Sequence, residues 1–259
     1  MYNSSDMEKY EHVKKFEIKY CEADFKDELK ISSTLSFLEE TAGSSADELG
    51  FGYQSLKPKN ITFMLSALCC EFYEPIMQGD NIAVKTWPLP ASYVIFGREY
   101  EIWSQDFEKK FCSATSRWCL VDLTTGRLLQ SKELGGQDYS TYNTDRALDW
   151  KNWKIAPFNF SDGDLKYSLT IANSEYDHNM HVNNARYADY CLNCFSISEL
   201  KEKTLKRFQI SYCKQCKEGD ELRFYRKDDD KGDSTVCGVN QNGEIVVLTK
   251  FLFVDRSQI

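Results

Sequence analysis

One order of elements occurs twice in this chain, a helical segment followed by several strands. Apolar residues recur at helical spacing from residue 31 to Gly50, which would end the first helix, and again from 182 to 200. Segments rich in β-branched and aromatic residues follow each helix, at 61–73, 81–87, 94–103 and 110–123 in the first copy and at 207–213, 221–227, 234–240 and 244–254 in the second. The pattern predicts two α+β units.

Matching turns support the repeat. Gln-Gly-Asp at 78–80 precedes one strand segment of the first copy, and Glu-Gly-Asp at 218–220 precedes its counterpart. The polar, glycine-containing stretch between the copies is typical of a connection. We therefore predict a first unit over residues 1–133, a linker over 134–161 and a second unit over 162–259.

Composition and charge exclude several classes of function. The chain is 42% hydrophobic and 14% aromatic, which is enough for a core, and its net charge of −8 gives no general affinity for nucleic acid. It contains no apolar run long enough for a membrane span. The first residues lack the apolar segment of a secretory signal, so we expect a cytoplasmic protein.

The ten cysteines include two CxxC pairs, Cys191/Cys194 and Cys213/Cys216, at a spacing that fits a zinc ribbon. The first pair falls inside a predicted helix, and neither pair has the glycine of a zinc knuckle. We expect reduced thiols, no metal and no cofactor. A zinc-stabilised interaction module stays the alternative.

The most unusual stretch is Asp-His-Asn-Met-His-Val-Asn-Asn at 177–184, which contains two of the three histidines. An ungapped pairing of the two copies at the helix starts places Lys26, Glu28 and Lys30 opposite Asp177, Asn179 and His181. A scaffold role would tolerate similar residues in both copies. The difference therefore favours a working site in the second copy.

A carboxylate, an amide and an imidazole beside a helix start suit the hydrolysis of an activated acyl group. The carboxylate can attack or activate water, and the helix start presents N–H groups to a developing oxyanion. The alternative is a capped helix start, since Asn183 and Asn184 are both plausible N-caps.

Residues 177–187, DHNMHVNNARY, resemble the Asp-x-Asn-x-His-Val-Asn-Asn-x-x-Tyr signature of the acyl-acyl-carrier-protein (acyl-ACP) thioesterases. Residues 211–216, SYCKQC, lie where that family has its next site segment. The resemblance implies a tandem double hotdog, each antiparallel sheet wrapped around a long central helix. It also implies a thioesterase that releases free fatty acid from acyl-ACP and ends fatty acid chain elongation.

The resemblance implies a role for each site residue. Asp177 would attack the thioester or direct water, Asn179 would orient Asp177 or the substrate carbonyl, and His181 would polarise the thioester. The backbone N–H groups of His181 and Val182 would be the oxyanion donors. Gln215 stands where the plant members usually have glutamate; an amide is no general base, but it could position water.

Substrate contacts are predicted more coarsely. An apolar tunnel for the acyl chain would be lined by Phe37, Leu38, Ala42, Ala46, Phe63, Leu65 and Trp87, with Cys216 as a buried apolar slot. Each of these could equally be plain core. The acidic carrier protein would dock on a basic cluster, for which we choose Lys201, Lys203, Lys206 and Arg207, although solvated surface is the usual place for such residues.

Two rivals use the same fold. An acyl-CoA thioesterase would need a phosphate-binding patch for the nucleotide, and a non-catalytic acyl-thioester sensor would bind without turnover. Because hotdog units normally pair, the fused pair predicts a monomer or a homodimer.

Overall fold

The structure is a computed structural model that describes residues 9–134, 141–177, 180–230 and 232–258. Within these ranges lie eleven strands, four α-helices and several short 3-10 turns. The strands are β1 (His12–Glu17), β2 (Ile61–Phe72), β3 (Asn81–Pro88), β4 (Ile95–Ser104), β5 (Lys110–Asp122), β6 (Leu128–Leu129), β7 (Leu165–Thr170), β8 (Lys203–Tyr212), β9 (Glu221–Asp228), β10 (Asp233–Asn240) and β11 (Ile245–Asp255). The helices are α1 (Ile31–Glu48), α2 (Tyr53–Leu56), α3 (Asn184–Leu192) and α4 (Ile197–Lys201).

Ten of the strands form one continuous antiparallel sheet in the order β1-β3-β4-β5-β2-β8-β11-β10-β9-β7, and β6 pairs with β5. Counted inward from each edge of the sheet, the two halves have the same strand order, with β1 to β5 corresponding to β7 to β11. The two halves meet at β2 and β8, where Ala67 lies opposite Ser211 and Glu71 lies opposite Arg207. The predicted repeat of elements is therefore confirmed.

The turns that marked the repeat have the same conformation. Gly79 and Gly219 both have φ +85°, a region that glycine enters without steric cost. Gly79 N–H donates to Ile18 O at 3.0 Å, and Gly219 N–H donates to Ile171 O at 2.9 Å. Each turn thus ties the start of β3 or β9 to the end of β1 or β7.

The second helix is shorter than predicted. We expected one helix over 182–200, but α3 ends at Leu192 and α4 begins five residues later. Ser196 caps α4, because its Oγ accepts from Glu199 N–H at 3.2 Å while the Glu199 carboxylate accepts from Ser196 N–H at 2.7 Å. This capping box starts a new helix at a point where the continuous apolar stripe had predicted that α3 would continue.

Helices α1 and α3 lie side by side on one face of the sheet and run antiparallel. Glu39 of α1 contacts Asn184 at the start of α3, and Ser32 contacts Asp189 further along it. Leu35 and Leu38 of α1 are fully buried in the main core. Burying such a leucine stabilises the fold by about 1.5–3 kcal/mol.

The connection between the halves crosses the other face of the sheet. Glu99 of β4 is fully buried and accepts from Arg146 and from the backbone N–H groups of residues 147 and 148, at 3.0 to 3.2 Å. Further along, Gln209 of β8 donates to Asn152 O and Trp153 O. Ile155 then packs into a separate small core on the second half. Residues 141–161 therefore cover a face that the helices leave open.

None of the helices in the described ranges is long and apolar enough to span a membrane.

Candidate functional site

The motif at 177–184 forms a tight loop in front of α3. We call residues 177–182 the site loop; its members His178 and Asn179 lie outside the described residues. Asp177 N–H donates to His181 O at 2.8 Å, and Met180 N–H donates to Asp177 O at 3.1 Å. Met180 takes the left-handed conformation that closes the loop, with φ 60°. His181 N–H, a predicted oxyanion donor, points at Asp177 Oδ1 over 3.3 Å.

The first half contains the same loop with different side chains. Asp24 N–H donates to Glu28 O at 2.7 Å, Asp27 N–H donates to Asp24 O at 3.1 Å, and Glu28 N–H contacts Asp24 Oδ1 at 3.2 Å. Asp27 has φ 60°, as Met180 has. These bonds match Asp24 with Asp177 and Glu28 with His181.

That register corrects the sequence pairing by two residues. The ungapped pairing aligned the apolar residues but not the turn, so it placed Lys26 opposite Asp177. Because Asp24 accepts the same backbone N–H as Asp177, this contact is part of the scaffold in both halves. The copies still differ at His181, whose counterpart Glu28 is held by Lys26 at 2.7 Å and by Arg256 at 2.5 Å.

Asn183, one of the two candidate N-caps, caps the start of α3. Asn183 Oδ1 accepts from Ala185 N–H at 2.8 Å, which makes Asn183 the N-cap. Tyr212 of β8 donates its hydroxyl to Asn184 O at 3.0 Å. Val182, the second predicted oxyanion position, is buried in the main core. These contacts fix where the site loop enters the helix.

A cavity of about 330 Å³ connects the site loop to the first half, a size within the range of ligand pockets. Asp177, Asn183 and Asn184 line it from the second half. The first half supplies a mostly apolar wall, made by Ala42, Ala46, Phe51, Leu56, Phe63, Leu89, Phe96, Trp118 and Leu134 among others. The cavity therefore combines an apolar compartment with the polar end of the motif.

Three of the predicted tunnel residues, Ala42, Ala46 and Phe63, line this cavity. Phe37, Leu38, Leu65 and Trp87 are not among its lining residues. Phe37 instead stacks on Phe16 at 4.4 Å between ring centroids, and Leu38 and Leu65 belong to the main core. Trp87 is buried and donates Nε1–H to Asp145 O at 3.0 Å.

Sequence reasoning missed Glu39, which lines the same cavity as Asp177. Asn184 Nδ2 donates to Glu39 Oε1 at 3.1 Å. Burial raises the pKa of the Glu39 carboxyl from 4.5 to about 7, the Asn184 hydrogen bond lowers it, and the Asp177 carboxylate raises it further. One signal was available in the sequence: Glu39 falls four residues after Leu35 and three before Ala42, at the edge of the apolar stripe.

The cavity also holds a buried cation. Arg98 of β4 is 6% exposed and donates to Ser45 Oγ at 2.9 Å and to Thr86 Oγ1 at 3.2 Å. Burial lowers the pKa of its guanidinium. Among the described residues, one acidic side chain, Glu39, and one basic side chain, Arg98, therefore line the cavity besides Asp177.

Gln215 and Cys216 line a different cavity, of about 390 Å³, together with Tyr176 and Met180. Cys216 is 2% exposed. Burial raises the pKa of its thiol, and the hydrogen bond with Tyr187 lowers it. The thiol is therefore held in its neutral form, which is a poor nucleophile.

The two CxxC pairs are placed differently. Cys191, Cys194 and Cys216 are buried, whereas Cys213 is exposed, and all four are free thiols. Within the described ranges, no three Cys, His, Asp or Glu side chains form a group that could hold a metal ion.

The predicted basic cluster runs from α4 along β8. Lys206 Nζ donates to Tyr73 O at 2.9 Å, and Arg207 pairs with Glu71 at 3.2 Å and lies over the Trp150 ring. Lys201 is exposed and Lys203 half-buried. Part of the cluster is thus already engaged within the chain.

Two family models match this chain. The model of the acyl-ACP thioesterase N-terminal domain matches residues 9–133, and that of the acyl-ACP thioesterase C-terminal domain matches residues 162–251. The chain belongs to the acyl-ACP thioesterase family.

Relatives within this family agree with the assignment. A chloroplastic palmitoyl-acyl carrier protein thioesterase of Arabidopsis thaliana is 24% identical over 195 residues, which are 72% of this chain and 47% of that protein. A chloroplastic oleoyl-acyl carrier protein thioesterase of Coriandrum sativum is 19% identical and covers 88% of this chain and 66% of its own length. The chain spans about half to two thirds of the length of these relatives.

Solved structures of the family share the fold. The crystal structure of an acyl-ACP thioesterase from Bacteroides thetaiotaomicron superposes with a TM-score of 0.83 at 26% identity, over 94% of this chain and 98% of that one. The 12:0-ACP thioesterase from Umbellularia californica superposes with a TM-score of 0.82 at 17% identity, over 95% and 98%. The second likeness supports the fold alone.

Proposed function

We propose that this protein hydrolyses the thioester of fatty acyl-ACP and releases a free fatty acid, as the names of its relatives describe for them. The observation that carries the proposal is the cavity in which Asp177 and the start of α3 meet an apolar wall from the first half. An acyl chain needs the apolar wall, and a thioester carbonyl needs the polar end. Membership of the family supports the same reaction.

In this mechanism the acyl chain enters the apolar compartment and the thioester stops beside the site loop. Asp177 attacks the carbonyl carbon or directs a water molecule onto it. We assign oxyanion stabilisation to the N–H groups of His181 and Val182. The contact from His181 N–H to Asp177 Oδ1 is long, at 3.3 Å, so this donor can turn toward a substrate oxygen without losing a strong bond.

The other roles follow from the family resemblance. His181 would polarise the thioester, and Asn179 would orient Asp177 or the carbonyl. Gln215 would position water, although it lines the second cavity and would have to reach the thioester from that side. We treat Cys216 as part of the wall of the second cavity and not as a nucleophile, because its thiol is neutral and buried.

We further infer that each half is a hotdog unit, so that the chain is a tandem double hotdog with α1 and α3 as the central helices. Residues 1–133 would bind the acyl chain, 134–161 would link the units and 162–259 would carry the chemistry. The matching strand order of the two halves supports this division.

Acyl carrier protein is the partner that this function requires. A chain of net charge −8 needs a local basic patch to meet an acidic carrier, and Lys201, Lys203, Lys206 and Arg207 remain our candidates. We place the reaction in the cytoplasm, because the ten cysteines are free thiols. The enzyme would work as a monomer or a homodimer.

The test is the release of free thiol from a panel of acyl-ACP and acyl-CoA thioesters of increasing chain length. Turnover that favours acyl-ACP by tenfold or more in kcat/KM supports the proposal. Preference for acyl-CoA would make the protein an acyl-CoA thioesterase. Tight binding of acyl-ACP without turnover would make it a sensor and overturn the hydrolase function.

A further inference from the structure

We propose that Glu39 is a second catalytic carboxylate, the group that takes the proton from the attacking water. This inference rests on the proposed thioester hydrolysis and adds to it a residue from the other half of the chain.

Glu39 lies in the same cavity as Asp177 and beside the start of α3. Its side chain lines the cavity that Asp177 lines, and Asn184 holds one of its oxygens at 3.1 Å from the start of α3. One carboxylate thus approaches from α1 and the other from the site loop. A thioester that reaches Asp177 lies in the same compartment as Glu39.

In the second copy of the repeat, an apolar residue stands at the position of Glu39. The register that matches Asp24 with Asp177 also matches the first residues of α1 and α3, and it places Leu192 at the position of Glu39. Leu192 packs against the main core. The scaffold therefore does not need a carboxylate at this point of the helix.

The difference at Glu39 adds a carboxyl to the cavity that Asp177 lines, at a position where the repeat has the apolar Leu192. A carboxyl placed in a cavity beside another carboxylate is expected of a catalytic site and not of packing alone.

The surroundings of Glu39 make its ionised form unfavourable in free energy, which is not expected of a residue with a purely structural role. The groups that face it are Asp177 from the site loop, Tyr100 from β4, Tyr212 from β8 and the Asn184 amide. Within the described ranges no lysine or arginine forms an ion pair with Glu39. Glu39 is half-buried in the cavity wall and faces another carboxylate, so its ionised form destabilises the fold. Its pKa of about 7 divides it between both forms near neutral pH.

A carboxyl that exchanges a proton near neutral pH suits both steps of the reaction, the attack of water and the departure of the thiolate. The Glu39 carboxylate accepts a proton from water while the water oxygen bonds to the thioester carbonyl carbon. The tetrahedral intermediate then collapses, the carbon–sulfur bond breaks, and the proton on Glu39 passes to the leaving thiolate. The products are a free thiol and a fatty acid, which loses its own proton to solvent.

The inference also accounts for Gln215. An amide accepts no proton, so the glutamate that plant members of the family usually carry at this point is missing here. Glu39 would supply a carboxylate from the wall of the first cavity, which Asp177 lines and Gln215 does not.

The experiment compares Glu39→Gln with Glu40→Gln. The Glu39→Gln substitution keeps the shape of the side chain and an oxygen for Asn184. Glu40 is the next residue on the same helix, but it is exposed and paired with Lys14, so it is the matched control. We expect kcat on acyl-ACP to fall by about a hundredfold or more in Glu39→Gln with little change in KM, and to stay unchanged in Glu40→Gln.

The pH profile separates catalysis from packing. The wild-type kcat should fall below about pH 7, as Glu39 becomes protonated, and Glu39→Gln should lack this limb. A Glu39→Gln enzyme that keeps wild-type kcat and the same limb, or that changes only KM, would overturn the inference and leave thioester hydrolysis intact. Absence of wild-type turnover on every thioester would overturn both.

Discussion

Replacing Glu39 by glutamine should stabilise the protein above neutral pH. The folded chain holds the Glu39 carboxyl in the wall of the cavity, where burial and the Asp177 carboxylate disfavour its charge. The unfolded chain exposes the same group to water. Glutamine has the same shape and no charge, so it removes the cost of ionisation and keeps the hydrogen bond from Asn184.

The size of the effect follows from the pKa. Folding raises it from 4.5 to about 7, and each pKa unit corresponds to about 1.4 kcal/mol, so the ionised form of Glu39 costs roughly 3 kcal/mol. The Glu39 carboxyl has a higher pKa in the folded chain than in the unfolded chain, so it favours folding most at low pH. The stability that it contributes is fully present below pH 4.5 and is lost as the pH rises toward about 7.

Urea unfolding of wild type and Glu39→Gln across this pH range measures the difference. The two curves should nearly coincide at the acid end and separate by roughly 3 kcal/mol in favour of Glu39→Gln above about pH 8. Glu40→Gln, which removes an exposed carboxylate paired with Lys14, should show no such separation. A constant difference between wild type and Glu39→Gln at every pH would refute the reasoning.

Three further outcomes are expected. Glu99→Ala should lower the free energy of unfolding by about 3–5 kcal/mol in a urea titration, because it leaves buried donors unpaired beneath the connection; a loss under about 1 kcal/mol would contradict this. Ala46→Phe should shorten the preferred acyl chain in a thiol-release panel, with about a tenfold loss per two carbons, since each excluded CH₂ is worth about 0.8 kcal/mol; an unchanged preference would show that the chain lies elsewhere. Cys216→Ala should keep kcat within about threefold of wild type, whereas a nucleophilic thiol would make this variant inactive.

The local patterns predicted most of the strands along the chain, but not their order in the sheet. Strands β2 to β5 and β8 to β11 lie where alternating β-branched and aromatic residues placed them. The exception was the second helix. Its apolar stripe continues past Leu192, and the stripe outweighed the Ser196–Glu199 capping box that starts a separate helix.

The pairing of the two copies shows how an apolar match can mislead. Side chains at the loop matched well without gaps, but the backbone hydrogen bonds set the register two residues away. The matched turns with positive φ at Asp27 and Met180 decide it, and neither residue is a glycine that would have marked the turn in the sequence. The register of this turn is set by the folded backbone, so the similarity of side chains in the sequence could not predict it directly.

Asp177 could be predicted as a candidate site residue because its neighbours form a dense polar motif, and it lines the cavity. Glu39 could not, because what makes it unusual is a contact with Asn184 across two helices that are far apart in the chain. Its place at the edge of an apolar stripe was the one local sign. The connection over the outer face of the sheet could not be predicted either. Glu99, which holds it, lies inside a strand whose residue pattern looks regular in the sequence.

The most direct test of the account is single-turnover release of free thiol from acyl-ACP by wild type and by Asp177→Asn, with acyl-ACP affinity measured for both. If Asp177 carries the chemistry, wild type should turn over and Asp177→Asn should lose at least about a thousandfold in rate while it still binds acyl-ACP. Equal rates in the two proteins would contradict the account, since the motif at 177–184 would then be no more than a capped helix start and the reaction would take place elsewhere.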